Sequence, residues 1–203
     1  PTIRALFGTD GGGVFGNEHI SDLLWALESL AWSPEWMPRV THVLARLAAI
    51  DNRPERYGNR PANSLREIHL LWIPQTYGTL DQRLRALDLI RKRESEAAWK
   101  LMLGILPKGH DTSSPSPMPR WRDFSVDQVE VVTYGLIGRG AAAITERLLQ
   151  EAGVNATRWS DLLDQFDALA PDQEAGLSTL EAAEPKIADK ADRALLWTSL
   201  RRV

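Results

Sequence analysis

The sequence predicts an all-α protein, an irregular α-solenoid-like stack of antiparallel helix pairs with about nine or ten helices. Apolar residues recur at helical spacing along most of the chain, as in Leu23, Leu24, Leu27 and Ala31, then Val40, Val43, Leu44 and Leu47, then Leu65, Ile68 and Trp72. Alternating strand-like runs are nearly missing. Capping boxes are the third observation: Ser64/Glu67, Thr79/Gln82 and Ser125/Gln128 each pair a hydroxyl with a Glu or Gln three residues on, which satisfies two orphaned backbone donors at a helix start.

In chain order these signals place helices over 18–32, 35–50, 63–73, 79–93, 95–106, 125–151 (broken near Gly138 and Gly140), 156–169, 172–183 and 186–202. Ahead of them, Gly8, Gly11, Gly12, Gly13 and Gly16 make residues 1–17 a flexible lead-in. The run 95–106, "SEAAWKLMLGIL", is apolar nearly all round and belongs in the middle of the packing. Over 79–93, in contrast, Arg83, Arg85, Asp88, Arg91, Lys92 and Arg93 are set apart from Leu80, Leu84, Leu87 and Ile90, so one side faces water. The acids of "DLLDQFD", Asp161, Asp164 and Asp167, form a solvated face in the same way.

Three helices run into proline, at Pro34, Pro74 and Pro107, 40 and then 33 residues apart, with a weaker echo at Pro171. Trp32 and Trp72 hold the same place before the first two. Two-helix repeats have intervals of ~34 to ~47 residues, so degenerate repeats are expected. Four of the chain's twelve prolines crowd residues 107–124, a loop or hinge between a helical-repeat subdomain at 18–106 and a C-terminal helical subdomain at 125–203.

Composition excludes several functions. With 203 residues, 43% of them apolar, the chain can bury a full core, yet no apolar run approaches the ~20 residues of a membrane span. There is no cysteine, hence no disulfide, thiolate metal site or cysteine nucleophile, and a cytoplasmic location is expected. A net charge of −3 gives no basic footprint, which disfavours nucleic acid as a partner. The opening "PTIRALFGTDGGG" has neither an initiator Met nor a secretory pattern, and "ALLWTSLRRV" reads as a helix without a cap; both suggest a piece of a longer parent chain.

Five constellations could carry chemistry. "GTDGGGVFG" lacks the Lys and Ser/Thr that a phosphate loop needs, so no nucleotide or other cofactor is implied. Among His19, His42, His69 and His110, no pair has metal-ligand spacing; Glu67 and His69 are two apart on different helical faces, so no metal site is expected. "GHDTSSP" sets His110 and Asp111 beside Ser113 and Ser114, which superficially supplies base, orienter and nucleophile, but on a loop that promises no oxyanion hole. "PRWRDF" flanks Trp121 with Arg120 and Arg122, the residue types that dominate interface hot spots. Asn59 and Arg60 form a second polar helix-end loop.

Taken together, "LLWALESLAWSP", "NRPANSLREIHLLWIPQT" and "GHDTSSPSPMPRWRDF" resemble the helical-repeat regions of large bacterial multidomain proteins, arrays that adjoin an NTPase or effector module of the signalling or defence kind. The resemblance implies a sensor or scaffold region with catalysis elsewhere in the parent. The expected function is non-catalytic binding of a protein or other ligand, with a protein or other domains of the parent chain as partner, through the helix-end loops at Asn59, Arg60, Arg120, Trp121 and Arg122. The alternative is a small helical hydrolase or nucleotide-processing enzyme using His110 and Asp111.

Overall fold

The computed structural model describes residues 18–54, 58–116, 118–120, 124, 129–169 and 172–202. Among them are nine α-helices and no strand: α1 (Glu18–Ala31), α2 (Met37–Ile50), α3 (Pro61–His69), α4 (Leu80–Arg93), α5 (Ser95–Ile105), α6 (Tyr134–Ala152), α7 (Ala156–Leu163), α8 (Gln173–Ala183) and α9 (Lys190–Leu200). Short 3-10 turns at Phe166–Leu169 and Glu184–Lys186 flank α8. No helix among the described residues is long and apolar enough to cross a membrane. The glycine-rich lead-in, the Ser125/Gln128 box and Pro171 lie outside the described residues.

The chain divides into two compact units, Pro1–Leu101 with Thr112–Thr133, and Met102–Asp111 with Tyr134–Val203. Residues 107–111 of the proline-rich stretch therefore belong to the second unit and 112–124 to the first.

In the first unit α2 is the shared helix. It packs on α1, α3 and α4, and α1 also packs on α3. Its stripe of Met37, Val40, Thr41, Leu44, Ala45 and Leu47 is buried, and Pro38 falls in the first turn, where no amide donor is needed. The Thr79/Gln82 box opens α4 as the sequence indicates: the Gln82 amide donates to Thr79 Oγ1 (3.3 Å) and the Thr79 amide to Gln82 Oε1 (2.8 Å). Just before it, Gly78 lets the chain press on α2, since a Cβ there would sit 2.8 Å from Met37 Cε.

Both ends of α3 differ from expectation. It begins at Pro61, whose ring presets the helical φ, rather than at a Ser64 cap. Ser64 lies inside the helix, buried, donating to Glu28 Oε1 at 2.6 Å. The helix stops at His69, well before Pro74, because Leu70 turns to an extended ψ of 135°. Arg83 secures this early stop. Its guanidinium, only 2% exposed, donates to the carbonyls of Leu70 (2.9 Å) and His69 (3.4 Å).

The sequence reading set Arg83 on the water-facing side of α4, and that is wrong. Leu80, Arg83, Leu87 and Ile90 share one buried stripe, while Leu84 is only half-buried. Helix ends also stand at different distances from Pro34, Pro74 and Pro107: α1 closes at Ala31, α3 at His69 and α5 at Ile105. Along α5, Ala98, Trp99, Leu101, Met102, Leu103 and Ile105 are all buried, in line with its apolar composition.

In the second unit α6 runs unbroken through Gly138 and Gly140 but starts at Tyr134 rather than 125. It ends in Gly153 at φ +49°, a left-handed position that glycine adopts without strain. Asn155 then caps α7 by accepting from the Arg158 amide. Helix α7 is shorter than the expected 156–169, giving way to a turn and the 3-10 segment. It packs on α6 and, most extensively, on α9, where Leu196 is fully buried and the hydroxyls of Ser160 and Ser199 meet at 2.7 Å. Two serines at the contact let these helices approach closely.

Candidate interaction surface

The centre of the first unit's loop face is a clasp built from Glu67 and Gln75. Glu67 sits in the last turn of α3, and its carboxylate accepts from Gln75 Nε2 (3.1 Å), the Ser113 hydroxyl and Arg66 Nη1 (3.2 Å). Gln75 is buried, so both ends of its amide need partners. Its Nε2 also reaches Ser113 Oγ (3.2 Å), and its Oε1 accepts from the amide and hydroxyl of Ser116. Arg66 adds a bond to the Thr112 carbonyl (3.1 Å). The loop at 112–116 is thus stapled to α3 by backbone and side-chain bonds alike.

A second staple is aromatic. Tyr77 stands edge-on to Trp32 (5.5 Å between centroids) and to Phe124 (6.2 Å), and its hydroxyl donates to Met118 Sδ at 2.7 Å. Residues on both sides of Arg120 are therefore held on one tyrosine. Between the staples the chain presents Met118, 51% exposed, and an exposed Arg120. Trp121 and Arg122 lie outside the described residues.

The other expected binding residues are placed differently. Arg60 donates from Nε to Asp51 Oδ2 (3.1 Å), beside Arg53, which donates from Nε to Oδ1 (2.7 Å). The Asp51 carboxylate is 1% exposed. Burial works to raise its pKa, but the bonds from Arg53 and Arg60 outweigh it and hold the carboxyl below the usual range. The charge of Arg60 is engaged in structure. Asn59 is half-buried next to it, and Asn63 donates to the Gly58 carbonyl (2.6 Å).

The "GHDTSSP" quartet divides between the units. His110, exposed, and Asp111, half-buried, fall in the second; Ser113 and Ser114 fall in the first, where the Ser113 hydroxyl donates a hydrogen bond to Glu67. No group of three or more His, Asp or Glu side chains that could hold a metal occurs among the described residues. An open groove of about 510 Å³ in the second unit is lined by Lys108, Asp164, Gln165, Asp167 and Arg202 among others, and across its lip Arg202 pairs with Asp164 at 3.0 Å.

A second charged group, with Arg83 and His69 buried and Glu130 half-buried, lies at the junction of α3 and α4. Glu130 Oε2 accepts the Leu80 amide at the start of α4 (2.7 Å), where a carboxylate is favoured by the helix dipole, and lies 4.0 Å from Arg83. Burial brings the Arg83 pKa down to about 10, opposed by Glu130, so the side chain is still a cation at neutral pH. His69 is buried with Nε2 lacking a hydrogen-bond partner among the described residues. Its pKa falls to about 3, first through burial and then through the charge of Arg83.

Gln75, Tyr77 and Met118 are not singled out by the sequence, and Glu67 is, but in another role. Glu67 was absorbed into a capping box, and a lone Gln or Tyr after a proline has no spacing signature. The chain matches no family model, no curated protein and no solved structure.

Proposed function

We propose that this chain is a non-catalytic recognition module of a larger cytoplasmic bacterial protein, and that it takes a protein partner on the loop carrying Met118 to Arg122. One observation supports the reading: Ser116 is held by Gln75, and Met118 and Phe124 by Tyr77, so the described residues on either side of Arg120 lose little conformational entropy on binding. An exposed methionine beside arginines and a tryptophan is the composition of an interface hot spot. A protein suits it better than nucleic acid, since the net charge of −3 lacks the phosphate-attracting excess. Of the two serines beside His110 and Asp111, Ser113 is engaged with Glu67, which weighs against its serving as nucleophile of a hydrolase.

A photo-reactive amino acid in place of Arg120 tests the proposal in cells. A single dominant crosslinked protein is expected, with its yield cut at least fivefold by Gln75→Ala and unchanged by His110→Ala. Turnover of an ester or nucleotide by the isolated chain that vanishes with His110→Ala would instead establish the enzyme.

A further inference from the structure

Helix α2 buries one side against α1, α3 and α4 and keeps the other in water. On that outer side Arg39, Val43 and Arg46 are all exposed, at i, i+4 and i+7, so they form one stripe about 10 Å long. Trp36 stands at its N-terminal end, 42% exposed, with the Arg39 guanidinium 5.3 Å above its ring. That contact holds Arg39 in place without neutralising it. The last turn of α4 widens the stripe. Arg93, also exposed, donates from Nη1 to His42 Nε2 at 3.3 Å, and His42 lies one helical turn from both Arg39 and Arg46.

Three guanidiniums therefore share one face with few counter-charges. Among the described residues, Arg46 reaches Glu94 at a long 3.8 Å while 59% exposed, and neither Arg39 nor Arg93 meets a carboxylate. The exposed Glu35 borders the Trp36 end, which leaves the excess of positive charge between Arg39, Arg46 and Arg93. This excess is local, because the chain as a whole carries −3.

The pattern selects a partner by chemistry. Cations seven residues apart with valine between them match a second helix that bears carboxylates at the same interval and an apolar residue between. A nucleic-acid strand would satisfy the arginines but leave Val43 without a contact, and the remaining negative charge of the chain would repel it. We propose that an acidic amphipathic helix of a partner protein docks along α2, its apolar residues on Val43 and Trp36 and its carboxylates on Arg39, Arg46 and Arg93. This site uses neither Arg120 nor the clasp. It stands whether or not the 118–122 loop binds anything.

Fluorescence anisotropy with a labelled synthetic helical peptide, Leu on one stripe and Glu flanking it, tests the proposal. Saturable binding is expected, weakened by added salt because exposed charge pairs are screened. Arg39→Glu combined with Arg93→Glu should cut the affinity about tenfold or more, and a peptide with Lys in place of Glu should then bind the altered protein instead. Val43→Asp should weaken binding as well, whereas Arg120→Glu should leave it unchanged. All the altered side chains are exposed, and circular dichroism shows whether each variant keeps its helices. A peptide of the same composition in scrambled order separates a docked helix from general attraction. Equal binding of the scrambled peptide, indifference to the charge reversal, or tighter binding of a single-stranded oligonucleotide of matched charge would each overturn the inference. So would the lack of saturable binding.

Discussion

The ring of His69 is enclosed close to the Arg83 guanidinium, and its Nε2 finds no hydrogen-bond partner among the described residues. A proton on that ring would be buried beside a permanent cation. The unfolded chain takes up this proton near pH 6.5, but the folded chain refuses it until about pH 3. Stability is therefore full above pH 6.5, falls as pH drops through it, and goes on falling toward pH 3. At pH 5 the loss amounts to about 2 kcal/mol, which denaturant titrations at pH 7 and pH 5 measure. His69→Leu should flatten that slope. In the sequence His69 stands out only as one of four histidines without metal-ligand spacing; its charge state is not legible there because it depends on full burial and then on Arg83, which comes from another helix.

At the junction of α3 and α4 an arginine closes one helix and a glutamate opens the next. Arg83 holds the final carbonyls of α3, and Glu130 holds the first amide of α4. Removing the cation leaves two carbonyls and a carboxylate without it, so Arg83→Ala should cost about 3–5 kcal/mol. Arg83→Met fills the space and should cost less, although the carbonyls remain unsatisfied; thermal unfolding of both variants checks the order. Helices were legible where local chemistry decides them. The Thr79/Gln82 box opened α4 as read, and the apolar stripe of α2 is buried as read, apart from the exposed Val43. They were not legible where a distant residue decides them. Pro74 limits α3 but does not by itself place its end as early as His69, and the stripe Leu80, Arg83, Leu87, Ile90 was missed because Leu84 offered a more apolar choice.

For the molecule as a whole, helical periodicity and the lack of alternating runs gave the all-α class, since both are summed over the chain and survive local error. The candidate surface was legible only in part. Arg120 is exposed as a binding residue must be, but Arg60 answers to Asp51, and the clasp depends on pairing Glu67 with Ser113 and Gln75 with Ser116 across a long sequence separation. Whether that clasp orders the loop before any partner arrives is the claim on which recognition rests. Amide hydrogen exchange at Ser116, followed by NMR on the free chain, measures it. Slow exchange that speeds up tenfold or more in Gln75→Ala, with the helices still protected, is the expected result. Exchange in the unaltered chain as fast as in an unstructured peptide would contradict it.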